Sequence, residues 1–125
     1  MIIPDHQVYA LIGEEGFDRL VTAFYQQVPS DPILGPMYPA EDLSGAACRL
    51  KSFLIYRFGG PQTYLAQRGH PRLRLRHAPF AIDEAARNRW VELMERSFDE
   101  AELPIDATET LRSFFAQTAT FLQNQ

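Results

Sequence analysis

Apolar residues recur at helical spacing in four separate stretches of this chain, which commits most of it to amphipathic helices packed on one another. Phe17, Leu20, Val21, Phe24 and Val28 fall at i, i+3, i+4, i+7 and i+11, with Tyr25 on the edge of the stripe. Pro29 and Ser30-Asp31-Pro32 end that helix. Asp31 suits the cap of a short turn whose first helical position is Pro32. Leu43, Ala46, Ala47, Leu50, Phe53 and Leu54 repeat the pattern until Gly59-Gly60-Pro61 stops it. Asp83 caps a third helix with Ala86, Trp90, Leu93, Met94 and Ser97 on one face. After Leu103-Pro104, Asp106-Ala107-Thr108-Glu109 reads as a capping box. It opens a last helix with Leu111, Phe114, Phe115, Thr118 and Leu122 inward. The expectation is an all-α chain of four main helices and some short ones.

At 125 residues the length suits one domain, enough to bury roughly two-thirds of the surface its unfolded form exposes and to enclose a pocket. A net charge of −4 argues against general binding to nucleic acid or a membrane surface. The single cysteine, Cys48, excludes an internal disulfide and fits a reducing compartment. No apolar run approaches the ~18–20 residues needed to span a bilayer. The start, Met1-Ile2-Ile3-Pro4-Asp5-His6, has neither the basic nor the apolar region of a signal peptide. A cytoplasmic location is the expectation.

Against this acidic background, Arg68-Gly69-His70-Pro71-Arg72-Leu73-Arg74-Leu75-Arg76-His77-Ala78-Pro79-Phe80 places two of three histidines and four arginines in thirteen residues. Residues 62–71 have no clear period and read as a long ordered loop, a kind of connection more often functional than neutral. Residues 72–78 can form only a short helix between two prolines. The Arg-Leu alternation equally suits an edge strand, for which no partner strand exists. A neutral imidazole gives one nitrogen to a metal and the other N–H to a carbonyl. No Cys or His lies at zinc spacing from His77. A single-histidine metal site therefore implies a metal already held by another group, of which haem is the common case. On the residues alone the plainer readings stand beside this one. His77 is then a half-exposed loop histidine, His70 a loop anchor, His6 and the arginines solvated, Trp90 core, and Tyr25 a hydrogen-bonded edge residue.

Taken together, Phe24-Tyr25, Met37-Tyr38-Pro39, Gly59-Gly60-Pro61 with Tyr64, the whole run from Arg68 to Phe80, and Arg87 with Trp90 resemble the group II (O-type) truncated haemoglobins, over about residues 16–122. The resemblance implies one domain over 1–125, a two-over-two helical sandwich, and haem b (iron protoporphyrin IX) as cofactor. It implies that His77 is the iron ligand and that Tyr25, Tyr38 and Trp90 face the bound ligand, with Tyr25 and Trp90 the residues that act on it. Ala46 falls where other globins keep a distal histidine, and Leu50 lies one turn further. Phe24, Phe53 and Leu54 would form pocket wall. Arg49 and Arg76, with Tyr64, are candidates for the haem carboxylates, which planar guanidinium matches. The chain departs from the family at Arg57-Phe58, where Tyr-Trp is usual.

The implied function is reversible, tight binding of O2, NO or CO at a five-coordinate iron. A diatomic ligand polarised by iron carries partial negative charge on its outer atom, and a phenol and an indole are donors suited to it. Two such bonds at about 1.5–3 kcal/mol each would slow release by roughly 10²–10⁴-fold. That suits scavenging, or redox detoxification of NO or peroxide, better than carriage. A reductase partner and self-association stay open; nucleic acid and membrane are not expected. The competing reading is a haem-free helical module whose arginine run docks an acidic partner, colourless and with steep salt dependence.

Overall fold

The computed structural model describes residues 3–62, 69 and 71–125, and among them the chain is helical with no strand. Five α-helices follow in order: α1 Val8–Gln27, α2 Leu43–Arg57, α3 Leu73–His77, α4 Glu84–Ala101 and α5 Ile105–Leu122. Short 3-10 turns lie at Asp5–Gln7, Gly35–Met37 and Ala40–Asp42. None of these helices is long and apolar enough to cross a membrane.

The helix α1 begins before its apolar stripe and kinks at Gly13, whose φ of 66° takes it out of the helical region. Beyond the kink the stripe is buried: Phe17, Leu20, Phe24 and Val28 have no exposed surface and Val21 has 2%. Burying each such side chain contributes about 1.5–3 kcal/mol, which is why α1 is the helix against which both α2 and α4 pack. Helix α5 packs in turn on α4. Asp31 caps as expected, its carboxylate accepting from the N–H groups of Ile33 at 3.0 Å and Leu34 at 2.8 Å. Asp83 does the same for α4, accepting from the Ala86 N–H at 2.8 Å.

One expected cap is absent. Helix α5 starts at Ile105, ahead of Asp106, with Pro104 at the cap position and no side-chain capping bond. Pro104 fixes the backbone there and its carbonyl accepts from Thr108 N–H at 3.0 Å. Asp106 is thereby inside the first turn, where its charge meets the positive end of the helix.

Where the resembling family has Tyr-Trp, Phe58 is fully buried and meets Phe114 edge-on at 4.9 Å. The Arg57 guanidinium lies 4.9 Å over the Phe114 ring and pairs with Asp5 at 2.9 Å. Gly59 follows at a φ of 98°, and a Cβ there would stand 2.0 Å from the His6 carbonyl oxygen. No side chain fits that crossing. Both ends of the described chain are pinned. Thr110 Oγ1 accepts from Ile3 N–H and donates to its carbonyl. Asn124 bonds to Ile82 through backbone and side chain, and its amide donates to the Phe80 carbonyl at 2.9 Å.

Candidate functional site

These helices enclose a cavity of about 430 Å³, within the range typical of small-molecule sites. Its first wall is aromatic and carries donors. Tyr25, next to the anchored Phe24, meets Tyr38 edge-on with ring centres 5.7 Å apart. Trp90 of α4 lies 5.3 Å from Phe24 and 5.4 Å from Phe115. Tyr25, Tyr38 and Trp90 all line the cavity.

Burial pushes the Tyr25 hydroxyl far above the ordinary phenol range, and the neighbouring Tyr38 adds to the rise. Burial raises Tyr38 as well, against a smaller opposing effect of the Trp90 indole N–H. No buried side-chain polar atom of the described residues lacks a partner, and all three of these residues contribute to the cavity lining. Neutral hydroxyls and an indole lining this cavity are donors held ready for a small acceptor.

The buried Asp31 links the parts of this wall. Besides capping the turn that leads to Tyr38, its carboxylate pairs at 3.2 Å with Arg89, the residue before Trp90, and its side chain is 6% exposed. One carboxylate therefore fixes both the loop bearing Tyr38 and the helix bearing Trp90.

Across the cavity stands His77. Its Nδ1 lies 2.7 Å from the Leu73 carbonyl oxygen. A carbonyl only accepts, so Nδ1 carries the hydrogen, and the neutral ring has its lone pair on Nε2. This is the tautomer a metal ligand requires. Among the described residues no group of three or more His, Cys, Asp or Glu could hold a metal ion. The described residues therefore supply no further set of protein ligands for a metal at His77.

Leu50, Phe53 and Leu54 of α2, and Phe114, Phe115 and Leu122 of α5, join the two walls with apolar surface. Ala46 of α2 also lines the cavity. Arg49 and Arg76 also line the cavity, but Arg49 pairs with Asp42 at 2.7 Å and Arg76 Nε donates to the Pro71 carbonyl at 2.7 Å. The pair with Arg49 holds the Asp42 carboxyl below its ordinary range. Phe24 is not in the lining; it is fully buried behind Tyr25 and Trp90. Tyr64 lies outside the described residues. Asp42 and the cavity face of α5 were not marked as site residues by sequence. The seven-residue spacing between Asp42, at the cap position of α2, and Arg49 on that helix was the available signal for the former. For the α5 stripe, a core face and a cavity face look alike in sequence.

Comparison with known proteins places the chain. The bacterial-like globin family matches residues 7–124. A group 2 truncated haemoglobin of Bacillus subtilis is 38% identical over 94% of this chain and 88% of its own length. The structure of the haemoglobin from the thermophilic phototrophic bacterium Chloroflexus aurantiacus superposes with a TM-score of 0.90 at 40% identity, covering 98% of this chain and 100% of that one. A thermostable haemoglobin of the actinobacterium Thermobifida fusca gives 0.89 at 43% identity, covering 94% and 96%. The architecture is therefore the two-over-two helical sandwich expected from the sequence. This chain belongs to the bacterial-like globins, within them to the group 2 truncated haemoglobins, and is a haem-binding globin.

Proposed function

We propose that the chain holds haem b through His77 and uses Tyr25, Tyr38 and Trp90 to retain a small ligand, O2 foremost, with NO and CO as others. The residues present fit the group: an apolar slot separates an imidazole with its lone pair free from three donors on the opposite wall. When bound, haem supplies an iron with one coordination position left for a diatomic molecule. The observation that carries this reading is the bond from His77 Nδ1–H to Leu73, which leaves only Nε2 for a metal.

The protein's own contribution is retention. Hydrogen bonds to a group carrying charge are worth about 1.5–3 kcal/mol each. The raised pKa of Tyr25 and Tyr38 keeps both hydroxyls protonated, so they donate rather than repel a partially negative atom. Slow release suits a scavenger or a catalyst of NO or peroxide removal more than a carrier. Ala46 leaves the route that a distal histidine would gate open to direct access. Arg49 and Arg76 stand at the rim, where the haem carboxylates would compete with Asp42 and the Pro71 carbonyl for them.

The test is reconstitution with haemin. The wild type should give a Soret band and the His77→Gly protein a shifted band with faster haem loss. An unchanged spectrum and affinity would overturn the assignment. Trp90→Phe should raise the oxygen dissociation rate by about tenfold or more, the equivalent of one such bond. An unchanged rate removes Trp90 from the mechanism.

A further inference from the structure

From Arg57 to Ile82 the chain has five arginines and no acidic residue, while all sixteen carboxylates lie elsewhere. Arg57 itself and almost every cation outside this run have an internal partner. Lys51 and Arg49, Arg57, Arg89, Arg96 and Arg112 pair with carboxylates, and Arg19 and Arg87 bond to carbonyls. Arg72, at the cap of α3, and Arg74 on it have no carboxylate among the described residues. Arg74 lies instead 5.3 Å over the ring of Phe121 at the end of α5.

The same junction concentrates exposed apolar surface. Of five large exposed apolar residues in the described chain, two lie on the outer side here, Leu75 at 67% and Phe121 at 54%, and a third, Phe80 at 45%, stands beside them at the cavity's edge. Arg72 also holds a φ of 46°, a left-handed conformation that costs a non-glycine residue on the order of 1 kcal/mol. Unpaired guanidinium around apolar side chains is the composition of a docking surface, in which charge gives selection and the apolar centre gives area.

We infer that the outer face of α3 with the end of α5 docks a protein partner presenting carboxylates around an apolar centre. This does not depend on haem: residues 72, 74 and 75 face out while Leu73 and His77 line the cavity. An acidic partner and haem would thus occupy opposite sides of the same helix.

The probe is a synthetic amphipathic helix with a Leu face flanked by Glu, titrated into the holoprotein with the α3 and α5 amide resonances followed by NMR. Shifts should centre on Arg72, Arg74, Leu75 and Phe121, and binding should weaken at least tenfold between 20 and about 200 mM salt as charges are screened. Arg72→Gly with Arg74→Gln should weaken it at least tenfold; Arg72→Gly suits the positive φ, so the fold is kept. Arg112→Gln, on the opposite stretch of α5, should leave binding unchanged. No binding, or binding insensitive to the double substitution, overturns the inference. So does equal binding to duplex DNA or phosphatidylglycerol vesicles, which would make the face a general polyanion site. Equal loss with Arg112→Gln does the same. An intact Soret band throughout keeps this outcome separate from the haem assignment.

Discussion

The wall bearing Tyr25, Tyr38 and Trp90 is backed by Phe24, Leu93, Met94 and Phe115, none more than 3% exposed. The wall bearing His77 rests on five residues whose central Leu75 is 67% exposed. The donors are held by core packing and by a buried carboxylate shared between two elements. The imidazole is held by one bond within its own turn. Tight packing fixes hydrogen-bond direction, where small displacements forfeit most of the energy. A ligand atom on a short, exposed helix needs only its ring orientation and tautomer set, which the Leu73 carbonyl does locally.

The contrast breaks most visibly in the core. Phe24→Ala should cost about 3–5 kcal/mol of stability, while Leu75→Ala should stay within about 0.5 kcal/mol, both read by urea denaturation. Comparable losses would show that α3 is as much part of the core as α1. Asp31→Ala should cost about 2 kcal/mol and also raise the ligand dissociation rate, since the turn before Tyr38 and the helix of Trp90 lose their common anchor. Stability loss with unchanged kinetics would confine Asp31 to folding. Asp83→Ala, removing a single cap, should cost about 1 kcal/mol.

The smallest effect at neutral pH lies in the tyrosines. Burial raises Tyr25 and Tyr38 in the folded state, whereas unfolded tyrosine titrates near about 10. The unfolded chain therefore loses these protons first. The stability linked to them is complete below about pH 10 and falls as pH rises beyond it. Tyr25→Phe should flatten that alkaline decline, measured as denaturation midpoints across the range. An unaltered slope would mean Tyr25 does not contribute to it.

Much of the fold was readable because helix-forming stripes and caps are local. The α1 stripe, the Asp31 and Asp83 caps and the Gly59 stop each follow from spacing a few residues long. The Asp106 cap misled because Pro104, two residues earlier, offers a start that the four-residue pattern does not include. In the site, the residues of the run from Arg68 to Phe80 and the paired tyrosines could be named from motif. Their grouping around one space was implied by the resemblance alone; spacing could not give it, because it joins residues 25, 38, 77 and 90 through tertiary contact. Phe24 shows the same limit: a stripe gives the buried face but not whether its far side meets a helix or a cavity. The partners of Arg49 and Arg76 were hidden for a similar reason. A guanidinium suits any carboxylate or carbonyl in reach, and only the fold says which is nearest.

The bonds from Asn124 and Gln125 to the turn at Phe80 and Ile82 carry a consequence for the order of assembly. A chain made from its N-terminus exposes His77 and the turn after it some forty residues of synthesis before their pin exists. Until residue 124 emerges, Phe80 and Ile82 at the cavity's edge have nothing to hold them to α5. Helices α1 and α2 can meet early, but the pocket closes last, so a cofactor captured on the ribosome would enter a cup still open on the histidine side.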